Sequence, residues 1–89
     1  MLLHAVIRGR VQGVGFRYYV LKSAQQLKLA GWVRNLPNGQ VEVEAQGDED
    51  SLYQFEQLLW KGPHFSNVEE VTCTRSETNS TYEGFQVRR

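Results

Sequence analysis

Cysteine is nearly absent from this sequence: Cys73 stands alone among 89 residues, so no disulfide can form within the chain. A lone thiol fits a reducing compartment. Excess charge is absent too, because ten basic and ten acidic residues cancel. No field spread over the whole surface would then draw in nucleic acid or an anionic membrane, and any anion site must be local. Long hydrophobic runs are missing: Met1-Leu2-Leu3-His4-Ala5-Val6-Ile7 is soon interrupted by Arg8 and Arg10. That run is too short for a signal peptide's apolar region or a membrane span. The two histidines, His4 and His64, have no metal-pair spacing, and the acids Asp48 to Asp50 read as a helix cap. These absences lead us to expect a soluble cytoplasmic protein with no metal, no cofactor, and no nucleic-acid or membrane partner. A monomer is the simplest state.

What is present suffices for one compact domain, spanning residues 1–89, and is too little for two. Hydrophobic residues make up 40%, a lean share, but two Trp, four Tyr and four Phe bring large areas to bury. Leu3, Ala5 and Ile7 alternate with His4, Val6 and Arg8, which predicts a strand over Leu2 to Arg8. Phe16, Val20, Ala24 and Leu27 recur at helical spacing and predict a helix from Phe16 to Leu29, with Gly31 as its stop. Gly31 to Leu36 and Gln40 to Gln46 read as strands joined through Pro37-Asn38-Gly39, where Asn38 and Gly39 both accept positive φ. A second helix follows on Leu52, Phe55, Leu58 and Leu59, ending near Gly62-Pro63. Val68 to Arg75 and Tyr82 to Arg88 predict two more strands, the last with Phe85 and Val87 inward. Between them, Ser76-Glu77-Thr78-Asn79-Ser80 is the most polar run and reads as a mobile connection. Trp32 and Trp60 read as packing residues. Strand, helix, strand, strand, helix, strand and a short last strand predict an α+β fold. It is the ferredoxin-like split βαβ sandwich, an antiparallel sheet with two helices on one face.

Between the first strand and the first helix lies Gly9-Arg10-Val11-Gln12-Gly13-Val14-Gly15-Phe16-Arg17. Glycine tolerates positive φ and lets the backbone approach a ligand. A loop curling into a helix N-terminus points unpaired N–H groups at one spot, which favours an anion. Arg17 adds a planar cation that matches phosphate oxygens in pairs, although a cation there opposes the helix dipole. No Gly-Lys-Ser/Thr follows, so this is not a Walker loop, and the third glycine of a dinucleotide fingerprint is missing at Tyr18. A tight glycine turn that binds nothing remains open on these residues alone. Asn35 likewise reads either as a functional amide or as a residue easing into the Pro37-Asn38-Gly39 turn. Cys73 reads as core filling, since no His or acid adjoins it.

Val11-Gln12-Gly13-Val14-Gly15-Phe16-Arg17, followed by Gly31-Trp32-Val33-Arg34-Asn35 and Asn38-Gly39, resembles the acylphosphatase family. The likeness continues through Val41 to Gly47, Gly62-Pro63 and Phe85-Gln86-Val87, and loosens between His64 and Thr81. The resemblance implies metal-independent hydrolysis of an acyl phosphate to a carboxylate and inorganic phosphate. Arg17 and Asn35 match the family's catalytic residues. Gln12, Gly13, Val14, Gly15 and Phe16 match its phosphate-binding loop. Inorganic phosphate or sulfate should then bind there as product or inhibitor. Two other classes compete: a regulatory module that binds phosphate or carbamoyl phosphate without turnover, and a ferredoxin-like RNA binder. The outward row Gln40, Glu42, Glu44, Gln46 and the zero net charge disfavour the RNA binder.

Overall fold

The computed structural model describes residues 1–77 and 81–89. Its elements are β1 (Leu2–Arg10), α1 (Phe16–Gln26), β2 (Ala30–Asn35), β3 (Val41–Gln46), α2 (Glu49–Lys61), β4 (Asn67–Ser76) and β5 (Phe85–Arg88). The strands form one sheet in the order β4-β1-β3-β2-β5. β1 lies antiparallel to β3 and β4, and β3 antiparallel to β2. This is the predicted ferredoxin-like arrangement, with one difference. β5 runs parallel to β2, Gly31 facing Phe85, so the sheet is mixed. The reason is connectivity: β4 ends where β2 begins, and a chain entering β5 from that end must run alongside β2. The polar run expected to be mobile includes residues 78–80, which lie outside the described residues.

Alternation decides which face of the sheet is covered. Leu3, Ala5 and Ile7 of β1, Val33 of β2, and Val41, Val43 and Ala45 of β3 are buried on one face. Phe16, Val20 and Ala24 of α1, with Leu52, Phe55 and Leu59 of α2, close over them in a single cluster. Each of the Val, Leu, Ile and Phe side chains among them stabilises the fold by about 1.5–3 kcal/mol relative to exposure. Tyr19 ties the helices together, its hydroxyl donating to the Leu58 carbonyl at 2.7 Å. Burial pushes its phenol pKa up, so the donor stays protonated. α2 is capped as its acids suggested: the Asp48 carboxylate accepts from the Ser51 N–H at 2.8 Å.

Several local expectations give way to longer-range packing. α1 ends at Gln26, three residues short of Leu29, and its stop is Lys28 at φ 58. The Leu29 N–H then returns to the Ala24 carbonyl at 2.9 Å, turning the Leu29 side chain into the core. At the β2–β3 turn only Gly39 takes positive φ, because Pro37 presets the ordinary turn in which Asn38 stays right-handed. Trp60 and Val87 are each 43% exposed and belong to no core. Trp32 is buried as expected, but on the opposite face of the sheet from the helices, where Arg34 and Arg88 stack on its ring.

Gly31 is no helix stop. It sits in β2 at φ 148, and an added Cβ would fall well inside contact with the Glu44 carbonyl oxygen of β3. Gly31→Ala should therefore destabilise the protein by about 3 kcal/mol, the upper end of ordinary overpacking. Urea unfolding of the variant against the parent measures it, and equal midpoints would show that β2 and β3 can separate locally.

Candidate functional site

The directions of the strands bring the interesting residues to one end of the sheet. β1 delivers the chain there at Arg10, α1 starts there, and β2 and β5 both finish there, at Asn35 and Arg88. Between β1 and α1, Gly13 has φ 76 and Gly15 φ 78, while Val14 between them is not left-handed. Alternation of this kind turns successive N–H groups toward a common point and forms an anion-binding concavity. Gly15 is also the N-cap of α1, and no side chain caps the helix. The N–H groups of Phe16, Arg17 and Tyr18 thus lack partners within the helix. A Cβ built on Gly13 or Gly15 would meet nothing within 4 Å, so the loop presents bare backbone to open space.

That open space is a hollow of about 330 Å³ lined by Val11, Gly13, Gly15, Phe16, Arg17, Tyr18, Asn35 and Val87. Its size suits a small ligand. Arg17, the second residue of α1, has no acid beside it in the first turn. Among the described residues no carboxylate pairs with its guanidinium, and Nη1 only reaches the Arg88 carbonyl, at 3.4 Å. The hollow therefore holds an uncompensated cation beside converging N–H groups. Asn35 closes it from the sheet. As the last residue of β2 it follows Val33 on the helix-covered face and stands opposite Val41. Its Oδ1 is buried with no hydrogen-bond partner. A buried acceptor left so costs about 1–3 kcal/mol, a cost that a bound donor removes.

Of the residues expected to form the site, the structure gathers Arg17, Asn35, Gly13, Gly15 and Phe16 around this hollow. Gln12 and Val14 do not line it. Val14 packs against the core, and the Gln12 side chain turns to the β2–β3 turn, donating from Nε2 to the carbonyls of Leu36 and Gln40, each at 2.8 Å. Val11, Tyr18 and Val87 were not anticipated as lining residues. Val11 and Tyr18 directly flank the loop and helix start, a signal available in the sequence; Val87 depends on β5 pairing with β2.

The remaining titratable groups of note lie elsewhere. Burial first, and then the Glu56 carboxylate, push the Cys73 thiol up to about 11, so it stays a protonated thiol at neutral pH. On the uncovered sheet face the Glu42 carboxylate receives His4 and Arg34, each at 2.7 Å. His4 above all, and then Arg34, hold its pKa below the usual range.

The acylphosphatase family model matches residues 3–87. An acylphosphatase of Bacillus velezensis is 48% identical over 84 residues, covering 94% of this chain and 93% of its own. A crystal structure of acylphosphatase from Bacillus subtilis superposes with a TM-score of 0.96 at 40% identity, covering 100% of both chains. A solved structure of an acylphosphatase from Coxiella burnetii gives a TM-score of 0.93 at 40% identity over 98% of this chain and 90% of that one. With sequence and fold agreeing along its length, the chain belongs to the acylphosphatase family.

Proposed function

We propose that this acylphosphatase-family hydrolase cleaves the carboxyl–phosphate bond of an acyl phosphate using Arg17, Asn35 and the Gln12–Phe16 backbone, without a metal. The observation that carries the reading is that Asn35, whose Oδ1 is buried and unpartnered, lines the same hollow as Gly13, Gly15 and the unpaired Arg17. A phosphoryl group in the hollow would receive the loop N–H groups and the Arg17 fork on its oxygens. Charge gathering there in the transition state would be met by donors already in place. A water on the sheet side would donate one hydrogen to Asn35 Oδ1, aligning its oxygen with phosphorus. As the water oxygen bonds to phosphorus, the bond to the acyl oxygen breaks and the carboxylate leaves with the electron pair. The remaining water proton passes to a phosphoryl oxygen, because an amide is far too weak a base to take it. The lone thiol fits a reducing cytoplasmic setting, and a monomer is the simplest state. Turnover of benzoyl phosphate with EDTA present separates this reading from a module that binds phosphate or carbamoyl phosphate without hydrolysis.

Inorganic phosphate or sulfate should inhibit competitively and raise thermal stability, by about 2.7 kcal/mol at a hundred times the dissociation constant. Arg17→Gln should remove most activity and most phosphate affinity. Arg17→Lys should restore only part, since it keeps the charge and loses the fork. Wild-type kinetics in Arg17→Lys would mean that charge alone matters.

Asn35→Ala should lower turnover by about 10²–10³ while phosphate inhibition changes little. Its stability should hold or rise, because a buried unsatisfied acceptor is gone. A variant that melts early yet turns over normally while folded would remove Asn35 from the mechanism.

The mouth of the hollow bears on the acyl group. Tyr18 is 65% exposed and Val87 43% exposed there, and Arg17 is the one charged residue of the lining. An apolar acyl group suits such a lip better than a small or charged one. Benzoyl phosphate should exceed acetyl phosphate in kcat/KM, and a Tyr18→Ser, Val87→Ser double variant should shrink that ratio about tenfold. An unchanged ratio would place the acyl group elsewhere.

A further inference from the structure

We infer that Gln12 is a positioning residue for the hydrolysis: its amide clamps the anion-facing loop to the strand end that presents Asn35, and it acts on the rate through Asn35. The inference rests on the role proposed above for Asn35. Gln12 Nε2 donates both its hydrogens, one to the Leu36 carbonyl and one to the Gln40 carbonyl, each at 2.8 Å. Those carbonyls face one another across the neck of the turn, where the Leu36 N–H also donates to Gln40 at 2.8 Å and the Gly39 N–H to Leu36 at 3.2 Å. With both hydrogens engaged, the amide has one orientation, and the loop and the turn share one rigid joint. Leu36 directly follows Asn35, so the joint is one residue from the amide it positions.

Among the described residues, no other side chain on the loop's open side is seen to do this. Gly13 and Gly15 carry no side chain, and open space lies beside each. Val11 and Phe16 anchor the loop ends, but in the core beneath the helices and not to the turn. The requirement is specific to glutamine: one neutral planar head must give two N–H donors at the end of a two-methylene stem. Asparagine is a methylene short. Glutamate at neutral pH would aim acceptors at acceptors. Methionine fills the space and donates nothing.

A double-mutant cycle in the full chain tests the clamp, with benzoyl phosphate as substrate and inorganic phosphate as inhibitor. Gln12→Met should lower kcat by about 10–10²-fold, the effect of small misplacement of a reacting group. The phosphate inhibition constant should stay within about twofold, since the donors to phosphate remain. In an Asn35→Ala background the same Gln12→Met change should cost less than about twofold, because the group it positions is gone. An equal loss in both backgrounds would overturn the clamp while leaving the reading of Asn35 intact. An Asn35→Ala protein with normal turnover would overturn both. Gln12→Glu covers the case in which Gln12→Met fails to fold. Against two carbonyls its carboxyl is driven toward the protonated form, and protonation returns one donor. The deficit of Gln12→Glu relative to the parent should therefore narrow as pH falls. A pH-independent deficit in folded protein would count against the clamp.

Discussion

The N–H groups that open α1 are the constraint around which this end of the molecule is built. A helix leaves its first N–H groups without internal partners, and here the N-cap is Gly15, which has no side chain to offer. The preceding loop adds further N–H groups by alternating handedness at Gly13 and Gly15. Arg17 then lies where the helix dipole disfavours a cation by about 0.3–1 kcal/mol. Asn35 adds an unsatisfied acceptor costing about 1–3 kcal/mol. Both are small beside a core in which each buried Leu, Val or Phe contributes about 1.5–3 kcal/mol. On the proposed mechanism a bound anion would remove the first cost and an ordered water the second.

The sheet holds this end of the molecule from both faces. On the uncovered face Trp32 lies beneath the guanidinium groups of Arg34 and Arg88, 5.4 and 5.0 Å from its ring centre. Its indole N–H donates to the Tyr82 hydroxyl at 3.3 Å, and that hydroxyl donates to the Glu44 carboxylate. β5 is only four residues long, and this stack supplements its pairing with β2. Arg88 thereby works twice: its side chain secures the strand over Trp32, and its carbonyl meets the Arg17 guanidinium on the other side of the sheet. The mixed sheet has a consequence for function, since an antiparallel β5 would end away from the hollow and leave Arg17 without that contact.

The parts legible in the sequence are those governed by near neighbours. Period-two alternation announces β1 and β3, and the core face it assigns is the one found. The 3.6-residue stripes announce α1 and α2, including the Asp48 cap. The loop's left-handed glycines and the bare helix start were legible because handedness and helix polarity are local properties. Boundaries were less legible. Gly31 looks like a helix stop, yet its missing side chain serves the approach of β3, and Lys28 takes the left-handed position because Leu29 must reach the core.

Residue order by itself determined the fold class, the helix and strand faces, and a bare-backbone turn ending in a cation. Only tertiary structure decided what that turn confronts. It set β5 parallel to β2, turned Val87 from an expected core residue into a wall of the hollow, and left the Asn35 carbonyl buried and unpartnered. It also assigned Gln12 to carbonyls 24 and 28 residues away, a pairing that no periodicity encodes. The physical reason is range. Backbone handedness and amphipathic spacing act within a few residues, whereas a hydrogen bond, a buried acceptor or a cavity wall exists only once distant segments meet.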